Sequence, residues 1–437
     1  MIDKDMTIDK LPTGVAQGPE WLSEKRNAQR LQFNDTPLPR RGLHLWRYTD
    51  PAKFLSGDLS TTSFTESANT RVTEALLSTQ LDNGEISALA FDRGGQKITV
   101  RLSAIAEKAG LVVLPLTQAL ASHSQLVQPN LYALVNSQTG KFEALNGALW
   151  QDGIFIYLPD NKTLELPIHL VREAGSGNSH QFPRLLIVAG KNSQAVIVDE
   201  YTGGSDDTAT ATSTSHGVVE IIGGQDSRIQ YLSLQRQALG MNSYSTHRAR
   251  IDAGAQMVTI PLAFGGNLSK QNFGVILNGK GSDSRMFGLA FGTEYQQFDN
   301  HTLHHHASGS TTSNIDFKVA LRDKATSAYT GLIRIDQSAK GCQAYQENRN
   351  LLLTAGAKAE TIPELEILNE DVSCTHGATV GPIDPMQVFY LNCRGIDHAT
   401  AVRMIVAGFL GKTLDLVPEE LRQRVAELID TRLEAMK

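Results

Sequence analysis

The sequence predicts a mainly β protein, a parallel β-helix core between an N-terminal helical cap and a C-terminal helical domain. Three observations carry this. From about Gly153 onward, short runs of β-branched or alternating residues follow one another, with starts about every 12 to 16 residues and no amphipathic helix between them. Small-residue turns separate many of these runs. Helical spacing is confined to the two ends of the chain.

Residues 1–150 read as mixed and mostly helical. Pro19 stands near the first position of the segment PEWLSEKRNAQRLQF, and LTQALASHSQLV is a second helical candidate. Residues 151–378 hold the β pattern: GIFIYLP, LPIHLVR, RLLIVAG, QAVIVDEY, GVVEIIG, RIQYLSLQ, MVTIPLAF, FGVIL, RMFGLAFG, IDFKVALR, AYTGLIRI, LLLTAG and LEILNED. Turns begin at Gly190-Lys191-Asn192-Ser193, Gly224-Gln225-Asp226-Ser227, Ala253-Gly254-Ala255-Gln256, Gly279-Lys280-Gly281-Ser282 and Ala355-Gly356-Ala357-Lys358. They are related but unevenly spaced. Stacked coils tolerate that irregularity and favour Gly, Asn or Asp where φ must be positive. An antiparallel sandwich is the alternative, since it too is built from short strands and turns.

Residues 379–437 return to helix. Asp384-Pro385-Met386-Gln387 places an acid at the N-cap, proline at the next position and Gln where it can complete a capping box. Asp397 caps HATAVRMIVAGFLG, and Pro418 opens a segment in which Leu421, Val425, Leu428 and Leu433 fall near one face. Val402, Ile405, Val406 and Phe409 exceed what a small three-helix bundle must bury, which points to a docking surface.

Composition narrows the function. The 437 residues carry 40 basic and 46 acidic side chains, a formal charge of −6, without the basic surplus of a nucleic-acid binder. At 41% hydrophobic the chain can bury a large core, and length alone suggests about two to three domains. Cys342, Cys374 and Cys393 are too few and odd in number for a disulfide framework, so a reducing, cytoplasmic setting is expected. The start MIDKDMTIDK does not read as a signal peptide. No apolar run approaches the roughly 18 residues of a membrane span, and the longest, Leu111 to Leu116, is interrupted by Pro115.

Catalytic motifs are sparse. Gly411-Lys412-Thr413 matches the end of a phosphate-binding loop, but the position five before Gly411 is Val406 and the segment closes an apolar helix instead of following a strand. HExxH and GxSxG are missing. His301, His304, His305 and His306 are dense enough to suggest a metal. On a strand, however, His304 and His306 share one face and His305 the other, so solvent-exposed or corner histidines are the expected reading. In Asp371-Val372-Ser373-Cys374-Thr375-His376-Gly377, Cys374 and His376 lie on one face about 7 Å apart if the segment is a strand. Thiol and imidazole suit iron. Two ligands do not close a site, so further ligands must come from another chain. The plainer alternative is a buried thiol beside a hydrogen-bonded histidine.

The stretch AYQENRNLLLTAGAKAETIPELEILNEDVSCTHGATVGPIDPMQVFYLNCRGI resembles the SufB/SufD family of iron–sulfur cluster assembly scaffolds, and RRGLHLWRYTD resembles the GLxxWRYT element of its SufD branch. The likeness extends from about Gly175 to Leu410. The CTHGATVG form, with His376 where the SufB branch typically supplies a cysteine, favours the SufD branch. The resemblance implies a right-handed parallel β-helix and a non-catalytic scaffold role in assembling a transient iron–sulfur cluster. It implies a SufB-like partner on the β-helix and a SufC-like ABC ATPase on the C-terminal helices. His376, with Cys374 second, would then be the cluster ligands, completed by a cysteine of the SufB-like subunit. Flavin binding by the complex and homodimer formation by the isolated chain stay open alternatives. The competing class is a β-helical polysaccharide lyase or hydrolase, which needs paired carboxylates or a Ca²⁺-assisted base along the solenoid. Acidic residues are sparse in the strand core.

Overall fold

The computed structural model describes residues 7–9, 11, 18–56, 59, 68–94, 97–175, 179–204 and 213–434. The reading of the first ten residues as no signal peptide falls mostly outside them. The β region is a parallel β-helix of two facing sheets, each coil giving one strand to each. The first sheet runs in the spatial order Lys97–Leu102, Ala88–Arg93, Ile168–Ala174, Gln194–Gly203, Arg228–Gln235, Gln256–Ala263, Asp283–Gly292, Thr312–Leu321, Cys342–Leu352 and Val372–Pro382. The second runs Lys358–Ile367, Thr326–Ile335, Gln297–His306, Leu268–Leu277, Met241–Ile251, Ser213–Gly223, Arg184–Ala189, Ile154–Leu158 and Val112–Pro115. Among the described residues only the pairings of Lys97–Leu102 and Val112–Pro115 with their neighbours are antiparallel, which rules out the sandwich.

The corners explain why the turns recur. Asn161, Asn192, Asp226, Gly254, Gly281, Ser310 and Gly341 all have φ between 49° and 75°, one per coil. Asn and Asp tolerate this left-handed conformation and glycine adopts it freely. Each corner is tied to the next by its backbone: Asn192 N donates to Gln225 O at 2.8 Å, Asp226 N to Ala253 O at 2.9 Å and Gly254 N to Lys280 O at 3.1 Å. The turn at Gly356 uses glycine differently. A Cβ there would stand 2.4 Å from Asp323 O, so close backbone approach is what demands it.

The interior between the sheets is filled by stacked apolar side chains such as Ile229, Ile251, Met257, Leu277, Met286, Ile315 and Val319. Helices close the outer faces. Glu20–Asp35 and Lys141–Leu149 cover the second sheet, where Trp46, Phe54 and Phe142 pack with Phe155, Leu186 and Tyr244. The C-terminal helices Pro385–Asn392, His398–Leu414 and Glu419–Glu434 cover the first, against Leu232, Leu262, Leu289 and Phe291. Asp384 and Asp397 cap two of them, each accepting a backbone N–H, as their sequence positions require.

Two expectations need correction. Val402 and Val406 are buried, and Ile405 and Phe409 half-buried, because they pack toward the protein's own first sheet. The apolar surplus of that helix is therefore consumed within the chain. Strands Met241–Ile251 and Gln297–His306 were not expected from the pattern, because their polar side chains conceal the alternation. Among the described residues no helix is long and apolar enough to cross a membrane.

Candidate functional site

The last strand of the first sheet, Val372–Pro382, places Cys374 and His376. Among the described residues it pairs with Cys342–Leu352 on one side only, so its other edge presents backbone groups that no described strand pairs. Cys374 stands opposite Ala344 and His376 opposite Gln346. Ala344 and Gln346 are buried, while the intervening Tyr345 is exposed, so the two candidate positions share the inward side of the coil. The same-face relationship read from the spacing thus holds in the register.

The two side chains differ in surroundings. Cys374 is half-buried beside Ile333, Ile335, Cys342, Ala344 and Leu365, and burial pushes its thiol pKa up. A metal would have to displace that proton, because the thiolate is the ligand. His376 is exposed, since no further coil covers it, and it makes no hydrogen bond within the described residues. Its imidazole is open to an incoming ligand. Among the described residues no group of three or more His, Cys, Asp or Glu side chains is placed to hold a metal, so Cys374 and His376 stand as a pair.

The histidine run is not exposed, contrary to expectation. His304 and His306 point into the core and are fully buried, while His305 lies on the opposite side and pairs with Asp336 at 2.9 Å. His304 meets Ser284 Oγ at 3.1 Å, and His306 meets Thr311 Oγ1 at 2.7 Å and Ser313 Oγ at 2.8 Å. Burial lowers their pKa values to about 3 for His304 and about 4 for His306, so both are neutral. The alternation expected for a strand is present; its buried face is the histidine face.

His301 belongs to a different cluster that sequence reasoning missed. Its Nε2 lies 2.7 Å from Asp299 Oδ1 and 2.6 Å from Lys270 Nζ. Burial alone would raise the Asp299 pKa, but Lys270 and His301 override it and hold the carboxyl well below the usual range. Lys270 also donates to Leu45 O at 2.8 Å, and Thr49 donates to Asp299. This knot fastens the segment containing Trp46-Arg47-Tyr48-Thr49 to the second sheet. A signal existed in the sequence: a Trp beside polar residues in a loop asks for partners elsewhere.

One further surface stands out. Met386, Phe389 and Tyr390 on the helix Pro385–Asn392 are 67%, 59% and 56% exposed, and Met404 on the next helix is 49% exposed. The spacing of the first three puts them on one side of the helix.

Comparison with known proteins adds independent findings. The family model described as SUF system FeS cluster assembly, SufBD core domain, matches residues 171–409, and the SufBD protein N-terminal region matches residues 15–170. The chain is similar to an iron–sulfur cluster assembly SufBD family protein of Staphylococcus saprophyticus, 26% identical over 463 residues, covering 99% of this chain and 96% of the relative. It is similar to a protein of that family name from Staphylococcus epidermidis, 29% identical over 329 residues, covering 75% of this chain and 70% of the relative. A Staphylococcus aureus member is 29% identical over 328 residues, with the same 75% and 70% coverage.

Proposed function

Because the chain belongs to the SufB/SufD family of iron–sulfur cluster assembly proteins, we propose that it is a non-catalytic scaffold subunit of its SufD branch, working in the cytoplasm. The nascent iron–sulfur cluster is its cargo. The observation that carries the reading is the placement of Cys374 and His376 on an edge strand at the uncovered end of the β-helix. Two ligands hold iron only in company. An edge strand is where a second β-helix adds its own strand and its own ligands. A SufB-like subunit supplying cysteine fits that requirement, and a second copy of this chain is the competing occupant.

The ATPase of the system is a SufC-like partner, docking on the C-terminal helices. Support comes from the exposed face of Met386, Phe389, Tyr390 and Met404, which the protein's own sheet does not cover. Val402, Ile405, Val406 and Phe409 instead secure the helices to the β-helix, so they carry docking only indirectly.

The test is co-expression of this chain with SufB-like and SufC-like subunits, followed by iron and acid-labile sulfide analysis of the purified complex. A defined complex carrying cluster supports the reading. Failure to associate with either subunit, with the chain folded, overturns it.

A further inference from the structure

A cavity of about 230 Å³ lies between the N-terminal segment and the outer face of the second sheet, and neither Cys374 nor His376 lines it. Trp46, Phe142, Tyr244 and Phe273 supply aromatic lining; Arg248, Lys270, Lys141, Glu143 and Glu364 supply charge of both signs, with Glu364 meeting His44 Nε2 at 3.0 Å. We propose that this cavity is a binding site for a small amphipathic carboxylate, a single ring or short branched chain bearing one acid group, held by Arg248. This goes beyond cluster assembly and does not depend on it.

The charge argument begins with what is already satisfied. Lys270 donates to Leu45 O and Asp299 Oδ2, and its Nζ lies 2.6 Å from His301 Nε2, so its charge is already committed to Asp299. Glu143 Oε1 accepts from Tyr244 Oη at 2.7 Å and from Thr246 Oγ1 at 2.6 Å. Lys141 donates to the carbonyls of Phe33 and Thr36. Arg248 differs. Its Nη1 donates to the carbonyls of His247 and Asn272, both at 3.0 Å, but Nε and Nη2 meet no acceptor among the described residues. Those two nitrogens form the edge of the guanidinium that grips a carboxylate with two parallel bonds.

The backbone is shaped for this arginine. A Cβ at Gly274 would stand 3.0 Å from Arg248 Cδ and 3.1 Å from both Nε and Nη1, so glycine there is what lets the guanidinium lie across the strand. A second polar atom is without a partner among the described residues: the His301 ring lines the cavity, is 8% exposed, and its Nδ1, an acceptor when Nε2 donates to Asp299, makes no hydrogen bond there. Buried polar atoms without partners are uncommon and costly.

Size sets the ligand class. A cavity of about 150 Å³ is enough for benzene, while drug-sized ligands need roughly 300 Å³ or more. A volume between these takes one ring with a carboxylate. Because Leu45 and Trp46 form part of the wall, an occupant would also touch the N-terminal segment fastened by Lys270.

The test uses the full chain with sodium benzoate as probe and benzamide as its uncharged isostere, read by saturation-transfer NMR and titration calorimetry at neutral pH. Benzoate should bind at least about tenfold more tightly than benzamide, as a charge-assisted fork requires. That comparison needs no variant and so is independent of folding effects. Arg248→Gln should lower benzoate affinity to the benzamide level, and Leu303→Phe, which fills the cavity from another wall, should weaken both. Absence of benzoate binding, equal binding of the two compounds, or benzoate affinity that survives both substitutions would each overturn the assignment.

Discussion

Lys270 and Asp299 stand opposite each other on neighbouring strands of the second sheet and form a 2.8 Å ion pair, with 1% and 3% of their side chains exposed. A pair so deep is costly to desolvate, and its value lies in what else it holds. Here it binds Leu45 O and the Thr49 hydroxyl, giving the loop after Arg41 a fixed seat beside Trp46. Breaking one partner leaves the other charged and buried. Lys270→Met should cost about 3–5 kcal/mol, and Lys270→Met with Asp299→Asn distinctly less than the sum of the single changes. Urea unfolding of the four proteins checks this; additive losses would mean the pair does not act as a unit.

Stability should fall on mild acidification through His304 and His306. Their folded pKa values, about 3 and about 4, lie below the usual histidine value, so the unfolded chain takes up protons first as pH drops below about 6.5. The unfolded state then binds more protons, and stability declines with falling pH by up to about 1.4 kcal/mol per pH unit for each group. Asp299 acts in the same direction but lower, losing its contribution only as pH falls below about 4. His304→Asn should reduce the slope between pH 6.5 and about 3, the window between its unfolded and folded values, while His306 above about pH 4 and Asp299 below it keep their own contributions. An unchanged slope in that variant would place the dependence elsewhere.

At the edge strand proposed to meet the cluster, His376→Ala should leave subunit stoichiometry unchanged and lower the iron and sulfide content of the co-expressed complex. His376 is exposed and makes no hydrogen bond among the described residues, so its removal should change stability by less than about 0.5 kcal/mol. Cys374→Ser tests the second proposed ligand, with a modest stability loss because the site is half-buried and apolar. Wild-type cluster content in both well-assembled variants would remove this pair from the function.

Truncation after Gly381 is a poor probe of partner docking, because it would uncover Leu232, Leu262, Leu289 and Phe291 on the first sheet. Substitution of the exposed face is cleaner. Met386→Asp with Phe389→Asp should alter the unfolding midpoint little, since both residues are more than half exposed, yet prevent capture of the proposed SufC-like subunit. Retained capture, measured by co-purification or analytical ultracentrifugation, would move the docking surface elsewhere.

How far the sequence disclosed this molecule follows from what kind of pattern each part leaves. Corner residues Asn192 and Asp226, the caps Asp384 and Asp397, and runs such as Gln194–Gly203 announce themselves because local sterics and alternation fix them. Strand Met241–Ile251 does not, since its outward Tyr244 and Thr246 are buried under Glu143, which is distant in sequence. Strand Gln297–His306 is masked for the same reason, with Ser284, Thr311 and Ser313 satisfying its inward histidines. Periodicity registers hydrophobicity and is blind to polar groups that find partners across coils. Cys374 and His376 were legible because two residues on one strand need only local geometry. The cavity at Arg248 was not, because its walls meet only in the folded chain.

Glu220 offers a test of how the N-terminal region is joined to the β-helix. Its carboxylate accepts backbone N–H bonds from Tyr132 at 3.0 Å, Leu134 at 2.8 Å and Val135 at 3.1 Å, and pairs with Arg184 Nη2 at 2.6 Å. Tyr132 has φ of 65°, a conformation unfavourable for a bulky residue, and the three bonds oppose its relaxation. Arg184 also donates to Asn146 Oδ1 at 2.9 Å, so the helix Lys141–Leu149 shares the junction. Glu220→Gln removes the charge and exchanges one acceptor oxygen for a donor facing other donors. It should therefore cost about 3 kcal/mol or more, and the loss should be local before it is global. Hydrogen exchange separates these cases. The amides of Tyr132, Leu134 and Val135 should exchange markedly faster in the variant, while those of Arg228–Gln235 and Gln256–Ala263 keep their protection. Uniform acceleration along the whole chain would instead make Glu220 part of a single cooperative unit with the solenoid core, and unchanged exchange at residues 132–135 would show that the carboxylate does not hold the loop.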